Sequence, residues 1–408
     1  MVRKKLKKAF CLVMVLYFSF LTLFGVGDYL YPDTVHCPKG EEPECGLVFS
    51  LKEPEDAVFS PLEETSLKEY RLMAFGVIPL KRVSVYSYPK GQVVCGGELI
   101  GIRLRCKGLL VQSLGNVVTV KGESSPGLDA GLQVGDLLLR CDGVPLESAS
   151  DLTKLIAKSK GKGLKLEFER NRKPLQTELF PASASDGSGW KAGIWVRDGA
   201  AGIGTVTFAD PATGVFYGLG HAICDGESKI PFPLAGGSIY KATVESVVKG
   251  TSGKAGEIRG HLESNVLGSL LANTEQGIRG MFQTPVSSSQ TYPLGKKEDL
   301  KKGKASIWCT LQNGGKKEYE IEIEEIVGKE RDSKNFILRV TDPELLKQTG
   351  GIVQGMSGSP IIQDGKLVGA VTHVLVDDPT RGYGIFIENM LDAANTVSKE
   401  QQTKKDAS

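Results

Sequence analysis

This chain of 408 residues has few histidines and almost no net charge, and each of these facts limits the functions it can have. There are only four histidines, and the eight cysteines include no C-x-x-C pair and no cluster with histidine. This pattern predicts no structural metal and no cofactor. Fifty basic residues stand against 48 acidic ones, so nothing in the balance argues for nucleic acid as a partner. The 50 glycines favour turn-rich β structure over helical bundles.

A glycine-flanked serine turn, G-M-S-G-S-P, occupies residues 355–360 between two apolar, strand-like runs. It is close to the G-D-S-G-G-P turn around the nucleophile of chymotrypsin-like serine proteases. A nucleophilic serine needs a tight turn that projects its Oγ into a cleft while backbone N–H groups converge on the developing oxyanion. Ser357 is therefore the candidate nucleophile, and the N–H groups of Gly355 and Ser357 are the candidate oxyanion hole. The alternative is an ordinary glycine and serine loop, although the Asp364-Gly365 hairpin signal that follows is similar to that of these proteases.

A serine nucleophile needs a base, and His221 is the best placed of the four histidines. It lies in the segment G-L-G-H-A, where two glycines let the backbone bend and small neighbours leave the ring accessible. His36 is remote from every other motif, and His261 lies in a polar stretch typical of the surface. His373 follows the serine turn in a predicted strand, where we expect it to form a wall of the cleft. The alternative for His221 is a structural histidine.

The third member of a triad is a carboxylate that orients the imidazole. Asp342 follows a strand-like run at residues 336–341 and is one candidate. The interpretation of Asp342 as a helix N-cap is equally good, because D-P-E-L-L is a typical helix start. The other candidate carboxylates are Asp225, Asp377, Asp378 and, less well because of its hairpin turn, Asp364.

Cysteine raises two further hypotheses. Cys224 follows His221 by three residues, but one histidine and one cysteine are too few ligands for zinc, and Ser357 is the better nucleophile. Cys37 and Cys45 bracket a short loop with proline and glycine, and we expect that they could form a local disulfide in an oxidising compartment.

The N-terminus predicts membrane attachment. A basic flank, residues 1–8, precedes an apolar stretch from Ala9 to about Val26, which is near the length needed to span a bilayer. The positive-inside rule keeps the flank in the cytoplasm and exports the rest. Because no clean cleavage site precedes Asp28, residues 1–27 are predicted to be a signal anchor, with a cleaved signal peptide as the alternative.

The remaining chain is predicted to be mainly β. Residues 28–95 combine a stalk rich in proline and glutamate with strand-like stretches of uncertain domain. Residues 190–395 are predicted to form a chymotrypsin-like double β-barrel serine peptidase domain, with the order His, Asp, Ser along the chain. Residues 396–408 are a polar tail.

Residues 96–182 resemble a PDZ domain, an α+β module, of the bacterial protease type. The stretch 125–139 predicts a short helix, a glycine turn and a strand, and Ser150 is the predicted cap of an amphipathic helix. Such modules add a peptide to a sheet edge beside that helix, or dock onto their own protease domain. The peptide carboxylate is predicted to meet a loop formed by Leu99, Ile100, Gly101 and Ile102.

Three segments resemble the stage IV sporulation protein B peptidase family of endospore-forming bacteria: residues 195–205, 218–221 and 349–361. The resemblance runs from the apolar N-terminus to about Ala394. In that family the triad histidine of G-x-G-H matches His221, the aspartate of T-D-P matches Asp342, and the first serine of M-S-G-S-P matches Ser357. Ser359 matches the second glycine of the chymotrypsin pattern and is given no nucleophilic role.

The resemblance implies an exported serine endopeptidase that is anchored in the membrane and acts in the space between the two membranes around the forespore. There it would cleave a membrane-bound regulator and so trigger sigma-factor processing. The alternative is a PDZ scaffold with a catalytically inactive protease-like domain. A periplasmic quality-control protease is disfavoured, because there the PDZ domain follows the protease domain.

Overall fold

The computed structural model describes residues 34–38, 48–52, 67–88, 91–288, 290–312, 315–328 and 333–391. These residues belong to two compact units, residues 1–91 and 92–408, each described here by itself. The predicted signal anchor, the polar tail and Cys45 lie outside the described residues, so the anchor and the disulfide stay predictions. Within the described ranges, no helix has the length and hydrophobicity needed to cross a membrane.

The first unit contains a four-stranded sheet in the order β1-β4-β3-β2. Its strands are β1 (Thr34–Pro38), β2 (Phe49–Lys52), β3 (Leu67–Ala74) and β4 (Ile78–Tyr88). β1 runs parallel to β4 and the other pairs are antiparallel. Leu72 and Val83 are fully buried at its centre. The strand-like alternation that we predicted for this segment is therefore confirmed.

The second unit begins with β5 (Gln92–Cys95) and the long strand β6 (Leu99–Leu114). β6 is one wall of a six-stranded ring whose strands pair in the order β6-β17-β18-β19-β16-β15 and back to β6. We call this ring the first barrel. The strands of this part are β15 (Ile194–Ala209), β16 (Val215–Gly218), β17 (Leu234–Val248), β18 (Gly256–Thr274), β19 (Gly277–Phe282) and the edge strand β20 (Thr291–Pro293). Its core includes Ile102, Phe216 and Ile239.

Residues 107–192 form an α/β module that includes the C-terminal part of β6 and precedes the strand β15. Its elements are β7 (Val117–Thr119), β8 (Gly122–Ser124), α1 (Pro126–Asp129), β9 (Leu137–Cys141), β10 (Val144–Pro145), α2 (Ala149–Ser159), β11 (Leu164–Arg170), β12 (Lys173–Leu179), β13 (Ala182–Ser183) and β14 (Trp190–Lys191). The predicted order of short helix, turn and strand is confirmed. The buried carboxylate of Asp136 after that turn accepts two hydrogen bonds of 2.7 Å from the guanidinium of Arg170, which joins the turn to β11.

A closed six-stranded barrel, the second barrel, follows a 3₁₀ turn (Lys297–Asp299). Its order is β21-β22-β23-β27-β26-β25. The elements of this part are β21 (Gly303–Cys309), β22 (Lys317–Ile326), β23 (Phe336–Val340), α3 (Pro343–Thr349), β24 (Val353–Gln354), β25 (Pro360–Gln363), β26 (Lys366–Val374) and β27 (Arg381–Phe386). Tyr319, Ile321 and Ile323 of β22 point inward while their neighbours face solvent, as the alternation predicts. The two-residue turn Asp364-Gly365, with both φ angles positive, closes the predicted hairpin of β25 and β26.

Three predictions about the module need correction. Its predicted start at residue 96 is wrong, because residues 99–106 are a wall of the first barrel. Residues Leu99–Ile102 therefore do not form a carboxylate-binding loop: Gly101 lies in mid-strand, paired with Ile203 on one side and Tyr240 on the other. The cap of α2 is Ser148, whose Oγ accepts a hydrogen bond from the N–H of Asp151, rather than Ser150.

Candidate active site

The serine turn lies between β24 and β25 and is held from behind by β15. The N–H of Thr205 donates to the carbonyl of Ser357 at 3.0 Å, and the Thr205 hydroxyl donates to the carbonyl of Gly355 at 2.7 Å. The Thr207 hydroxyl donates to the carbonyl of Gly358 at 2.7 Å. Both threonines are fully buried. The conformation of the turn is thus set by a strand about 150 residues earlier in the chain.

The turn that carries His221 touches the serine turn directly. A Cβ on Gly358 would lie 2.5 Å from the backbone nitrogen of Leu219, so only glycine permits this approach. Leu219 itself has a φ of +67°, a conformation that non-glycine residues rarely adopt. The close contact of the two turns explains why glycines surround both motifs.

Ser357 and His221 lie against two consecutive residues of β26, Thr372 and His373 respectively. The hydroxyl of Ser357 donates to the carbonyl of Thr372 at 2.8 Å. The ring of His221 faces the ring of His373, with 4.9 Å between their centroids. The structure therefore brings together the predicted nucleophile, the predicted base and the predicted wall of the cleft. No hydrogen bond joins Ser357 to His221 in the described part of the chain, so the serine is not engaged by its base in this conformation.

The imidazole of His221 is suited to act as a base. Burial lowers its pKa from the ordinary value, and the carbonyl of Ala222 opposes this shift only in part. The Nδ1 atom lies 2.8 Å from that carbonyl, which requires that Nδ1 carry a proton for the two to hydrogen-bond. The lone pair is then on Nε2, the atom that is free to take a proton from a nucleophile.

No hydrogen bond joins Asp342 to His221 among the described residues, and the predicted triad contact stays a prediction. One carboxylate oxygen of Asp342 accepts hydrogen bonds of 2.9 Å from the N–H groups of Glu344 and Leu345, at the start of α3. Burial raises the pKa of the Cys309 thiol, and the negative charge of Asp342 raises it further. Asp342 therefore lies near Cys309, a residue of the second-barrel core. This conformation supports the interpretation of Asp342 as an N-cap, because the first N–H groups of α3 have no acceptor within the helix and bond to its carboxylate.

Two of the alternative carboxylates, Asp225 and Asp378, are occupied elsewhere. Asp225 is buried and accepts from the N–H groups of Glu227 and Ser228 within its own turn. Asp378 accepts from the Thr380 hydroxyl at 2.6 Å. Among the described residues, neither makes a hydrogen bond to His221.

The remaining candidates have structural roles or none in the site. His261 is exposed and pairs with Glu245 at 2.9 Å, as predicted for a surface histidine. Burial raises the pKa of the Cys224 thiol, which disfavours the thiolate that a cysteine nucleophile needs. The Ser359 hydroxyl is buried and has no hydrogen-bond partner in the described part of the chain. Within those same residues there is no group of three or more side chains able to hold a metal ion.

The predicted oxyanion hole lies in a turn with two glycines of positive φ, Gly355 at +101° and Gly358 at +95°. The N–H of Ser357 makes no hydrogen bond to any described residue and is available to an incoming oxygen. Sequence reasoning found these positions but missed Thr205 and Thr207, which hold them. The signal available was the alternation T-V-T at the end of an apolar, glycine-rich run.

A sequence profile of the SpoIVB peptidase S55 family matches residues 188–391, half of the chain. The chain belongs to the SpoIVB peptidase family. Both turns of the site and the threonines that hold them lie inside the matched residues. The resemblance expected from the three sequence segments is thus confirmed.

Curated relatives are similar over shorter stretches. A zinc metalloprotease RasP of Shouchella clausii is 30% identical over 101 residues, which cover 24% of this chain and 23% of the relative. A probable periplasmic serine endoprotease, DegP-like, of Pseudomonas putida is 28% identical over 156 residues, 38% of this chain and 30% of the relative. The chain therefore matches only about a quarter to a third of the length of these relatives.

Solved structures with partial similarity include a PDZ domain and a protease. The PDZ domain of an SdrC-like protein from Listeria monocytogenes is 26% identical, with a TM-score of 0.19, over 22% of this chain and 90% of that one. The Rv3671c protease from M. tuberculosis, in its active form, is 15% identical, with a TM-score of 0.27, over 48% of this chain and 73% of that one. At these scores the description of the barrels rests on the strand pairing given above.

Proposed function

We propose that this SpoIVB-family protein is a serine endopeptidase in which Ser357 is the nucleophile and His221 is the general base. The observation that carries the proposal is the contact of the serine turn with the histidine turn, with Ser357 on Thr372 and His221 on the next residue, His373. This mechanism requires that the Ser357 hydroxyl leave the Thr372 carbonyl and hydrogen-bond to Nε2 of His221. The PDZ module is proposed to recruit or restrain protein substrates.

The reaction proceeds in two halves. Oγ of Ser357 attacks the scissile carbonyl carbon while its proton passes to Nε2 of His221, and the oxyanion is bound by N–H groups of Gly355 and Ser357. The imidazolium then gives that proton to the leaving amine as the C–N bond breaks. Water repeats the sequence on the acyl-enzyme and restores the free serine. A neutral His221, favoured by burial, is the form that this first step requires.

The biological part of the proposal rests on family membership. The protein is proposed to be anchored by its N-terminal segment outside the cytoplasm, in the space around the forespore. There it cleaves a membrane-bound regulatory protein and triggers sigma-factor processing. The competing function is a PDZ scaffold with an inactive protease-like domain, and the bond from Ser357 to Thr372 in place of His221 is the observation that favours it.

Replacement of Ser357 tests both candidates. Ser357→Ala should abolish labelling by a fluorophosphonate probe and lower proteolysis ~10⁴-fold or more, because the nucleophile is removed. Ser359→Ala is the matched control: its buried hydroxyl makes no bond in the described structure, so labelling and melting temperature should change little. In the native host, only Ser357→Ala should block the formation of heat-resistant spores. A wild-type protein that resists the probe would support the scaffold.

A further inference from the structure

The segment that follows His221 is a loop, residues 223–232, whose two ends are joined. The carbonyl of Ile223 accepts a hydrogen bond of 3.0 Å from the N–H of Phe232. Asn273, near the C-terminal end of β18, lies beside these ends, and its Nδ2 donates to the carbonyls of Ile223 and Phe232 at 3.0 Å each. A side chain from a distant strand therefore holds the residues that come directly after the candidate base.

Asn273 makes a third hydrogen bond through the other half of its amide. Its Oδ1 accepts from the N–H of Ile223 at 2.8 Å. The amide is thus used completely, with one acceptor and two donors engaged. The opposite orientation would set Oδ1 against two carbonyl oxygens and the NH₂ group against an N–H, so the structure determines which way the amide points.

The bond from Ile223 to Asn273 reaches His221 through one peptide unit. The N–H of Ile223 and the carbonyl of Ala222 belong to the same trans peptide unit, so they point to opposite sides of it. On one side Oδ1 of Asn273 accepts from the N–H, and on the other the carbonyl lies 2.8 Å from Nδ1 of His221. Imidazole, peptide and side-chain amide form a chain of hydrogen bonds in which each bond polarises the next.

This chain does for His221 what a carboxylate does in a triad. A triad carboxylate orients the ring, keeps a proton on Nδ1 and stabilises the imidazolium that forms. Among the described residues, the Ala222 carbonyl is the group bonded to Nδ1, and this bond offsets part of the fall in the pKa of His221 that burial causes. The titratable neighbours of His221 include His373 of β26 and the Cys224 thiol, which lies 3.7 Å from the same carbonyl.

We propose that Asn273 is a positioning residue for His221: through the peptide unit between Ala222 and Ile223 it holds the proton on Nδ1 and leaves the lone pair on Nε2. Its effect on catalysis rests on the proposed function, whereas the place of the proton does not. In the acylation step Nε2 takes the proton of the Ser357 hydroxyl and Nδ1 keeps its own. The Ala222 carbonyl then stabilises the positive charge, and no proton passes to the peptide or to Asn273.

The first test locates the proton and then removes Asn273. In the full chain with ¹⁵N-labelled histidine, the imidazole ¹⁵N shifts at pH 8 distinguish a protonated from an unprotonated nitrogen, and His221→Gln identifies the signals by their loss. We expect Nδ1 to carry the proton in the wild type. Asn273→Ala should move much of it to Nε2 and lower the rate of fluorophosphonate labelling of Ser357 roughly tenfold, the cost of one hydrogen bond.

Asn273→Asp separates the acceptor of the amide from its donors. The carboxylate can still accept from the N–H of Ile223, while the carbonyl of Ile223 keeps the N–H of Phe232 as a donor. This variant should keep the proton on Nδ1. The acid midpoint of labelling should rise in Asn273→Asp, because the added negative charge favours the imidazolium, and should fall in Asn273→Ala, because the carbonyl is a weaker acceptor. General destabilisation does not produce opposite shifts.

Cys224→Ala is the matched control, since it removes the other donor to the Ala222 carbonyl and leaves Asn273 in place. The proton on Nδ1 and the acid midpoint should not change in this variant. Thermal melting of every variant shows which of them are folded.

Each outcome decides the role of Asn273. An unprotonated Nδ1 in the wild type, or a folded Asn273→Ala that keeps its proton there, overturns it. Equal shifts and equal midpoints in the alanine and aspartate variants would show that Asn273 only joins the ends of the loop. If Asn273→Ala does not fold, comparison of Asn273→Asp with the wild type decides. A wild type that is never labelled contradicts the proposed function, while the imidazole shifts still decide the place of the proton.

Discussion

At the scale of single residues, the site is defined by what holds Ser357 and His221 rather than by those two alone. Buried threonines bind the carbonyls around the serine, and a backbone carbonyl binds Nδ1 of the histidine. These contacts determine where the hydroxyl and the imidazole lone pair point.

The acid limit of activity should lie below the ordinary histidine pKa of about 6.5. Burial disfavours the imidazolium, so the proton leaves at lower pH and the neutral base persists into mildly acidic solution. The lowered pKa of His221 in the folded state also contributes to stability at pH values above 6.5, its ordinary value in the unfolded chain. This contribution is lost as the pH falls from 6.5 through the pKa of the folded state. The rate of fluorophosphonate labelling between pH 4.5 and 8.5 measures the limit. His261→Gln should leave the profile unchanged, and a midpoint at or above ~6.5 would contradict the prediction.

Thr205→Val should lower kcat by roughly 10- to 100-fold with little change in KM, because the carbonyl of Gly355 loses its donor and the turn shifts. Thr205→Ser keeps the hydroxyl and should restore most of the rate. Thr213→Val is the control for loss of a threonine hydroxyl. It removes a hydrogen bond to Asp210 in the turn between β15 and β16. Equal rates for the valine and serine variants would show that the hydroxyl does not position the turn.

At the scale of elements, the short helix α3 connects β23 to the serine turn, and its N-terminus depends on Asp342. The helix ends at Thr349, and its C-cap, Gly350, lies seven residues before Ser357. A helix of this length gains little from propagation, so its cap contributes a large share of its stability. Asp342 can therefore affect activity by stabilising α3, and so the serine turn, without contacting His221.

Asp342→Asn should therefore keep both cap hydrogen bonds and retain activity within about tenfold, since asparagine is as good an N-cap as aspartate. Asp342→Ala should cost about 1 kcal/mol of unfolding free energy. Urea unfolding and labelling rate are measured on both variants. If the asparagine variant melts normally but reacts ~10⁴-fold more slowly, Asp342 is the triad carboxylate after all.

At the scale of the whole second unit, the PDZ module interrupts the first barrel between β6 and β15. The two barrels share a core, because Leu99, Val244 and Ile258 pack with second-barrel residues. The serine turn lies where β24 of the second-barrel segment pairs with β18 of the first barrel. The site is thus assembled from both barrels, and a destabilising substitution in either barrel should lower the reactivity of Ser357.

Gly101→Ala tests this dependence. Its Cβ would lie 2.2 Å from Cγ of Leu262, so overpacking should cost about 1–3 kcal/mol and lower both the melting temperature and Ser357 labelling. Gly202→Ala is the matched control, since it lies on the neighbouring strand with nothing within 4 Å of its Cβ. If Gly101→Ala left the melting temperature unchanged and altered only peptide binding, Gly101 would belong to the peptide-binding groove that the sequence predicted.

The sequence by itself determined the local features: the serine turn, the Asp364-Gly365 hairpin, the alternation of β22 and the helix start at Asp342. Each depends on neighbouring residues, whose conformational preferences are visible in a short window. Only the tertiary structure decided that β6 belongs to a barrel, that the Asp342 carboxylate caps a helix, and that Thr205 holds a turn 150 residues later. Those outcomes depend on which distant strands pair, and a strand has the same alternation whichever partner it takes.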